Sequence, residues 1–452
     1  MSTAVFDNFQ APGNQPANFP FGINIGSAGG VINSIGVAGQ RGFGVGICPG
    51  PLPAGMAPMQ GYSDQGSDNY GNYQYTDGSV MVWVPAFYYK YGTGANGYAI
   101  NVVNIQPFSA YATVAAANAA GYALHRAFYD GGNVAYGFFI DKYKTSNNSG
   151  VASSLRNGNV LTSAQRGTLS TAMYSALTGA PANTLGGSVA AAKTRGANFF
   201  PSSMFQKAAL GLLALAHGQS STSTTYCGWY DAAGVTNFPK GNNNNALGDS
   251  QDASIQYVYD GNGTYTGCGK TGSANLFNRT THNGQNCGIA DVNGLTYDFC
   301  PGMTSDGTNL YILNTSVAMK SVTGSNTLAT DLFGATGIAA MYTSLGATYQ
   351  SLNKQNGWAY FGNASNPVFS SAVSGNDWNA AGAGVPLLTG LGGTNMFGND
   401  GLYNPLTYPA EMAPIMGGNW GDGSSAGVWY LSVNIYRTYS GYSIGFRSAL
   451  YL

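Results

Sequence analysis

GGNWGDGSSAGVWYLSVNIYRTYSGYSIGFRSA, residues 417–449, is the stretch on which the reading of this chain turns. Within it Trp429, Leu431, Val433 and Ile435 alternate with Tyr430, Ser432, Asn434 and Tyr436. Successive side chains of a strand point to opposite faces, so this alternation predicts a half-buried strand with the odd positions on a core. Arg437 to Gly441 is polar and turn-like, and Ile444, Phe446 and Leu450 predict a second strand. The residues left facing outward are Tyr430, Ser432, Asn434, Tyr436, Thr438, Tyr439, Ser440, Tyr442 and Ser443. Such a set suits a contact surface: Tyr offers large, rigid, amphipathic area at low entropic cost, and Ser and Asn add adaptable hydrogen bonds. The competing reading is an ordinary polar strand face in which Tyr serves as a good β-former.

Composition extends the picture to the rest of the 452 residues. Only 8% are charged, against roughly 25% in ordinary soluble chains, and the 67 glycines are about twice the usual share. Disorder goes with few aromatics, whereas aromatics here reach 13%. The balance predicts a folded, loop-rich β protein held by backbone hydrogen bonds and ring packing rather than by ion pairs. The net charge is −1 and there is no run of Lys or Arg. That argues against nucleic acid, whose phosphates must be neutralised, and against an electrostatic membrane patch. No apolar run approaches the roughly 18 residues of a membrane span, so no membrane insertion is expected. The opening MSTAVFDNFQ has neither the basic nor the apolar region of a secretory signal, which leads to the expectation of synthesis in a host cytoplasm.

Along the chain, residues 1–75 are rich in Gly, Pro, Asn and Gln and read as an arm or docking region. Val80 to Val84, ended by Pro85, and Tyr136 to Tyr143 (YGFFIDKY) read as strands. The clearest helix is Ser203 to Ala216, with Ser203 and Gln206 as a capping box and Gly218 as its stop. A shorter helix is expected over Ser188 to Thr194.

Cys48, Cys227, Cys268, Cys287 and Cys300 include no CxxC pair, and histidine is scarce, which disfavours a closed zinc site. One or two disulfides and free buried thiols both remain open. Gly441-Tyr442-Ser443-Ile444-Gly445 matches the G-x-S-x-G of a nucleophile elbow, but no helix can follow it so close to a β-patterned end. Asp298 and Glu411 are not set apart as a glycosidase pair. No enzyme activity is expected.

The motifs of the last segment resemble the variable-region end of C-type-lectin-fold proteins diversified by retroelements. The matching residues are Gly417, Gly418, Trp420, Ala426, Gly427, Gly445, Phe446, Arg447 and Ala449. Three upstream pieces resemble the wider family of formylglycine-generating enzymes. They are FFIDKYKTSN (Phe138 to Asn147), GIADVNG (Gly288 to Gly294) and AAKTRGANFFPSSMF (Ala191 to Phe205). The resemblance covers about 76–452 and implies an α+β, C-type-lectin-like domain with twisted antiparallel strands and two helices. It would carry an insert at about 304–416 and a variable binding region at 417–452. It also implies that the nine outward residues, each reachable from an Asn codon by adenine substitution, are the variable positions, on a fixed scaffold of Trp420, Gly445, Phe446 and Arg447. The oxidase cysteines of the family are missing, since no cysteine follows Cys300. Some relatives bind calcium near the GI-x-D-x-NG turn. Asp291 and Asn293 could act so, or could simply hold the turn by Asx hydrogen bonds.

These readings lead to one functional expectation: a non-enzymatic phage receptor-binding protein of a tail fibre or tail tip. It would be a homotrimer, joined to other virion tail proteins through its N-terminal region, and would bind a bacterial surface receptor through the C-terminal face. The alternative is a structural virion protein, a decoration or baseplate component that uses the fold only for packing.

Overall fold

Val80–Pro85 and Gly137–Asp141 pair antiparallel at the heart of the molecule, with Val82 opposite Ile140 and Trp83 opposite Phe139. The computed structural model describes residues 32–92, 102–232, 239, 268–322, 338–346, 358–360, 369, 372–386, 400–403 and 409–452. Both strands are apolar at successive positions because both faces of their sheet are covered. Val82, Val84, Phe138 and Ile140 join one core cluster, while Met81, Trp83 and Phe139 join a second on the opposite face. Each side chain points away from its chain neighbours, so a continuous apolar run feeds two cores at once.

The sheet has six strands, all paired antiparallel. Their order is Met56–Pro58, Asn72–Tyr75, Val80–Pro85, Gly137–Asp141, Ser448–Leu450 and Phe200–Pro201. The chain therefore returns at its end to lie beside Gly137–Asp141, with Ala449 opposite Ile140. Four helices fall within the described residues: α1 (Val114–Ala119), α2 (Leu185–Lys193), α3 (Met204–Ser220) and α4 (Gly375–Gly382). The class is mixed, with many antiparallel strands and few helices.

The capping box of α3 is present: Ser203 N–H donates to Gln206 Oε1 at 2.9 Å, and Gln206 N–H donates to Ser203 Oγ at 3.3 Å. Every residue from Met204 to His217 is buried, as expected of a helix apolar on most of its circumference. The helix does not stop at Gly218. It runs to Ser220 because Ser221 caps it, donating from both N–H and Oγ to the His217 carbonyl. Helix α2 starts a turn earlier than Ser188, with Thr184 Oγ1 accepting from Gly187 N–H.

A second sheet holds the C-terminal segment. Its order is Trp358–Tyr360, Gly401–Tyr403, Leu431–Ser432, Ile415–Met416, Tyr297–Phe299 and Ile444–Gly445. The long period-two strand expected over Trp429 to Tyr436 is thus reduced to Leu431–Ser432. Two strands from elsewhere, Ile415–Met416 and Tyr297–Phe299, separate it from Ile444–Gly445. The segment between them has to cross the sheet as a loop.

The region read as an N-terminal arm needs correction over its described part. Ile35, Phe43, Val45, Ile47 and Tyr70 are buried in the core, and Met56–Pro58 and Asn72–Tyr75 are strands of the central sheet. Its glycines make tight contact rather than slack. Gly71 has φ +65°, and a Cβ there would meet the Gly46 carbonyl at 2.7 Å. Residues 1–31 lie outside the described residues. From the 304–416 region, Met303–Ser305, Leu310–Leu313 and Tyr342–Ser344 form a three-stranded sheet, and Gly401–Tyr403 and Ile415–Met416 enter the second sheet. Among the described residues no helix is long and apolar enough to cross a membrane.

Candidate functional site

The candidate site is the loop from Val433 to Ser443, with its ends in the second sheet. Six of the nine outward residues read from the sequence are exposed there: Asn434, Tyr436, Thr438, Tyr439, Ser440 and Tyr442. The three tyrosines show 55%, 46% and 37% of their surface. Ser443 is half-buried, and its carbonyl accepts from Tyr297 N–H at 2.9 Å.

Tyr430 and Ser432 are corrections. Each is only 2% exposed. The Tyr430 ring packs on Tyr297 with centroids 5.3 Å apart, and its hydroxyl donates to Tyr297 Oη at 3.3 Å. The Tyr297 hydroxyl donates in turn to Asp422 Oδ1 at 2.9 Å. Burial pushes the Tyr297 and Tyr430 hydroxyls above their usual range, and the nearby Asp422 charge adds to the shift. Ser432 sits between two strands, opposite Ile415 on one side and Tyr403 on the other. A strand in the interior of a sheet can be covered on both faces, so alternation alone does not put its even positions in solvent.

The exposed loop is held at several points. Arg437 is buried beneath it: Nη2 donates to Tyr342 Oη at 3.0 Å, and Nε donates to Thr304 Oγ1 at 3.3 Å. Its N–H donates to the Glu411 carbonyl, and its own carbonyl accepts from Leu185 N–H at the start of α2. Ser163 clamps the far end. Its Oγ accepts from Gly441 N–H at 2.9 Å, and its carbonyl accepts from Ser440 Oγ at 2.5 Å. The Tyr442 ring faces buried Trp420 at 6.2 Å. Arg437 and Ser163 were not singled out from the sequence. An Arg within a Tyr, Ser and Thr run is the one signal that could have marked a buried pin.

Behind the loop the scaffold is charged. Asp298, in the strand beside Ile444–Gly445, meets Lys144 Nζ at 2.9 Å, Lys207 Nζ at 2.8 Å and Arg447 Nε at 3.5 Å, all fully buried. Burial alone would raise the Asp298 carboxyl, but the three cations hold it well below the usual range. Burial pushes Lys144 down to about 8. Arg447 also donates to the carbonyls of Lys142 (3.1 Å), Asp291 (2.8 Å) and Ala290. Gly445 leaves no room for a side chain, since a Cβ would meet Thr296 Oγ1 at 2.8 Å.

Asp291 Oδ2 accepts from Thr271 Oγ1 and Gly272 N–H, both at 2.7 Å, which is turn-holding geometry. The Asn293 amide is fully buried with no hydrogen-bond partner among the described residues. Among the described residues no three His, Cys, Asp or Glu side chains gather as metal ligands. All five cysteines are free thiols, four of them buried. Burial pushes Cys227 up to about 12 and Cys48 to about 11, away from thiolate chemistry at neutral pH. Ser443 of the G-x-S-x-G match leads into the strand Ile444–Gly445 rather than a helix. No family model matches this chain, and no curated protein matches it in sequence.

Proposed function

We propose that this chain is a non-enzymatic receptor-binding protein of a phage tail fibre or tail tip, and that Val433 to Ser443 is its receptor-contacting loop. The observation that carries the reading is the run of Asn434, Tyr436, Thr438, Tyr439, Ser440 and Tyr442, all exposed on a backbone pinned by Arg437 and Ser163. A pinned loop loses little entropy on binding, and exposed Tyr supplies area for a partner. Two features support the C-type-lectin-like reading of the fold. The last strand lies beside Gly137–Asp141, and helices α2 and α3 fall between those strands in sequence, with α2 packed against Phe200–Pro201 of the same sheet. The partner on this reading is a protein or glycan of the bacterial surface. Trimerisation would compensate for weak single sites through avidity, and the undescribed N-terminal residues would join the other tail proteins of the virion.

The test is adsorption to host cells by particles carrying Tyr436→Ala and Tyr442→Ala. A fall of at least tenfold with normal particle yield supports the receptor-binding reading. Unchanged adsorption with reduced particle assembly favours the alternative, a decoration or baseplate component in which this face packs against neighbours.

A further inference from the structure

A cavity of about 240 Å³ lies away from the C-terminal loop, between the segment before Asn72–Tyr75, the end of Gly137–Asp141 and residues 275–286. Its wall includes Lys142, Arg156, Phe277, Asp68, Asn69 and Asn286. Lys142 is buried and donates only to neutral oxygens: Asn72 Oδ1 at 2.6 Å, the Asn286 carbonyl at 2.7 Å and the Asp68 carbonyl at 3.3 Å. Among the described residues neither Lys142 nor Arg156 forms an ion pair. The two cations both stand 5.4 Å from the centre of the Phe277 ring. A buried ammonium without a carboxylate is costly, and here burial pushes Lys142 down to about 8, with Arg156 acting the same way and Asp68 and Cys287 opposing.

We propose that this cavity binds a single acidic sugar unit, a saccharide bearing one carboxylate. Three observations select that class. The space is below the roughly 300–1,000 Å³ of drug-sized sites, so it holds one small ring. The wall carries two cations and the Asp68 carboxylate, a surplus of one positive charge that suits a monoanion better than a dianionic phosphate. The amides of Asn69 and Asn286 each use one N–H, on the Gln60 carbonyl and Asp68 Oδ1, and each keeps a second N–H and its oxygen to meet sugar hydroxyls. Lys142 has already used its three donors, so it supplies field rather than a direct bond. Arg156, exposed and bonded only through Nε to the Gly272 carbonyl among the described residues, makes the direct contact with the carboxylate. Arg156 also borders a larger cavity of about 460 Å³ whose wall mixes polar groups, including Ser146, Asn147 and Thr171, with Leu155 and Ala172, where uncharged neighbouring units of an oligosaccharide would lie.

The experiment is an NMR titration of the full chain with D-glucuronate, D-glucose, glucose 6-phosphate and acetate, repeated with Arg156→Ala. The expected result is glucuronate binding in the millimolar range, at least tenfold tighter than the other three. Arg156→Ala should lose at least tenfold while its melting temperature is unchanged. Equal binding of glucose and glucuronate overturns the role of the charge. Tighter binding of glucose 6-phosphate overturns the monoanion, and equal binding of acetate overturns the sugar. No binding of glucuronate, or full binding by Arg156→Ala, overturns the site itself.

Discussion

Val433 to Ser443 and Ile444 to Leu450 are neighbours in the chain and are built by opposite means. The first is exposed and polar, and its order comes from a few pins below it, chiefly Arg437 and Ser163. The second is wholly buried and is tied to distant segments by charge, through Arg447, Asp298, Lys144 and Lys207. Those four residues come from four separate stretches, so their ion pairs tie the strand Tyr297–Phe299 to α3, to the segment after Gly137–Asp141 and to the link between Ile444–Gly445 and Ser448–Leu450. The contrast teaches that a chain with few charges can concentrate them where they set geometry and leave an exposed loop neutral.

The largest expected effect breaks the charged side. Asp298→Ala leaves three buried cations around an empty position, and removing one partner of a buried pair costs about 3–5 kcal/mol. Denaturant unfolding should show that loss, if the variant is recovered folded at all. The wild type should carry the same dependence on pH. The folded carboxyl of Asp298 is depressed, so its contribution is fully present above the unfolded value of about 3.9. It drains away as pH falls below that value towards the lower folded one, so for this group stability should hold from pH 6 to about 4 and decline below it. Next comes Arg447→Lys. Lysine keeps the charge but cannot bridge the carbonyls of Lys142, Ala290 and Asp291 together. A loss of roughly 2–4 kcal/mol is expected, since hydrogen bonds to charged groups are worth about 1.5–3 each.

These effects bear on what the sequence makes legible. Val80 to Val84 and Tyr136 to Tyr143 announce themselves because their runs are strongly apolar, and Ser203 and Gln206 announce a helix start by local chemistry alone. Trp420, Gly445, Phe446 and Arg447 are legible as scaffold through their resemblance to a motif, and all four are buried or tightly enclosed. The burial of Tyr430 and Ser432 is not legible, because it depends on Tyr297–Phe299, far away in sequence, which inserts together with Ile415–Met416 between the two C-terminal strands. The packing of residues 32–75 is hidden for a related reason. Glycine-rich turns look like slack until the strands that they place are seen to pair.

On the loop side the expected effects are smaller for folding and larger for binding. Arg437→Ala should cost about 1.5–3 kcal/mol, from the charged hydrogen bonds to Tyr342 and Thr304, and should weaken receptor adsorption by loosening the loop. The smallest change in stability is expected for Tyr436→Ala and Tyr439→Ala. Surface substitutions of this kind stay within about 0.5 kcal/mol, which thermal unfolding would check.

The division between contact surface and scaffold is tested most directly by randomising each position from Trp429 to Arg447 singly and scoring every variant for both folded yield and host adsorption. Asn434, Tyr436, Thr438 and Tyr439 should accept most residues for folding while changing adsorption, and Ser440 and Tyr442, which also hold the loop, should change adsorption with some loss of folded yield. Tyr430, Ser432, Arg437, Gly441 and Gly445 should lose folded yield first. A map in which the six exposed positions leave adsorption unchanged, or in which Tyr430 and Ser432 vary freely without loss of fold, would contradict it.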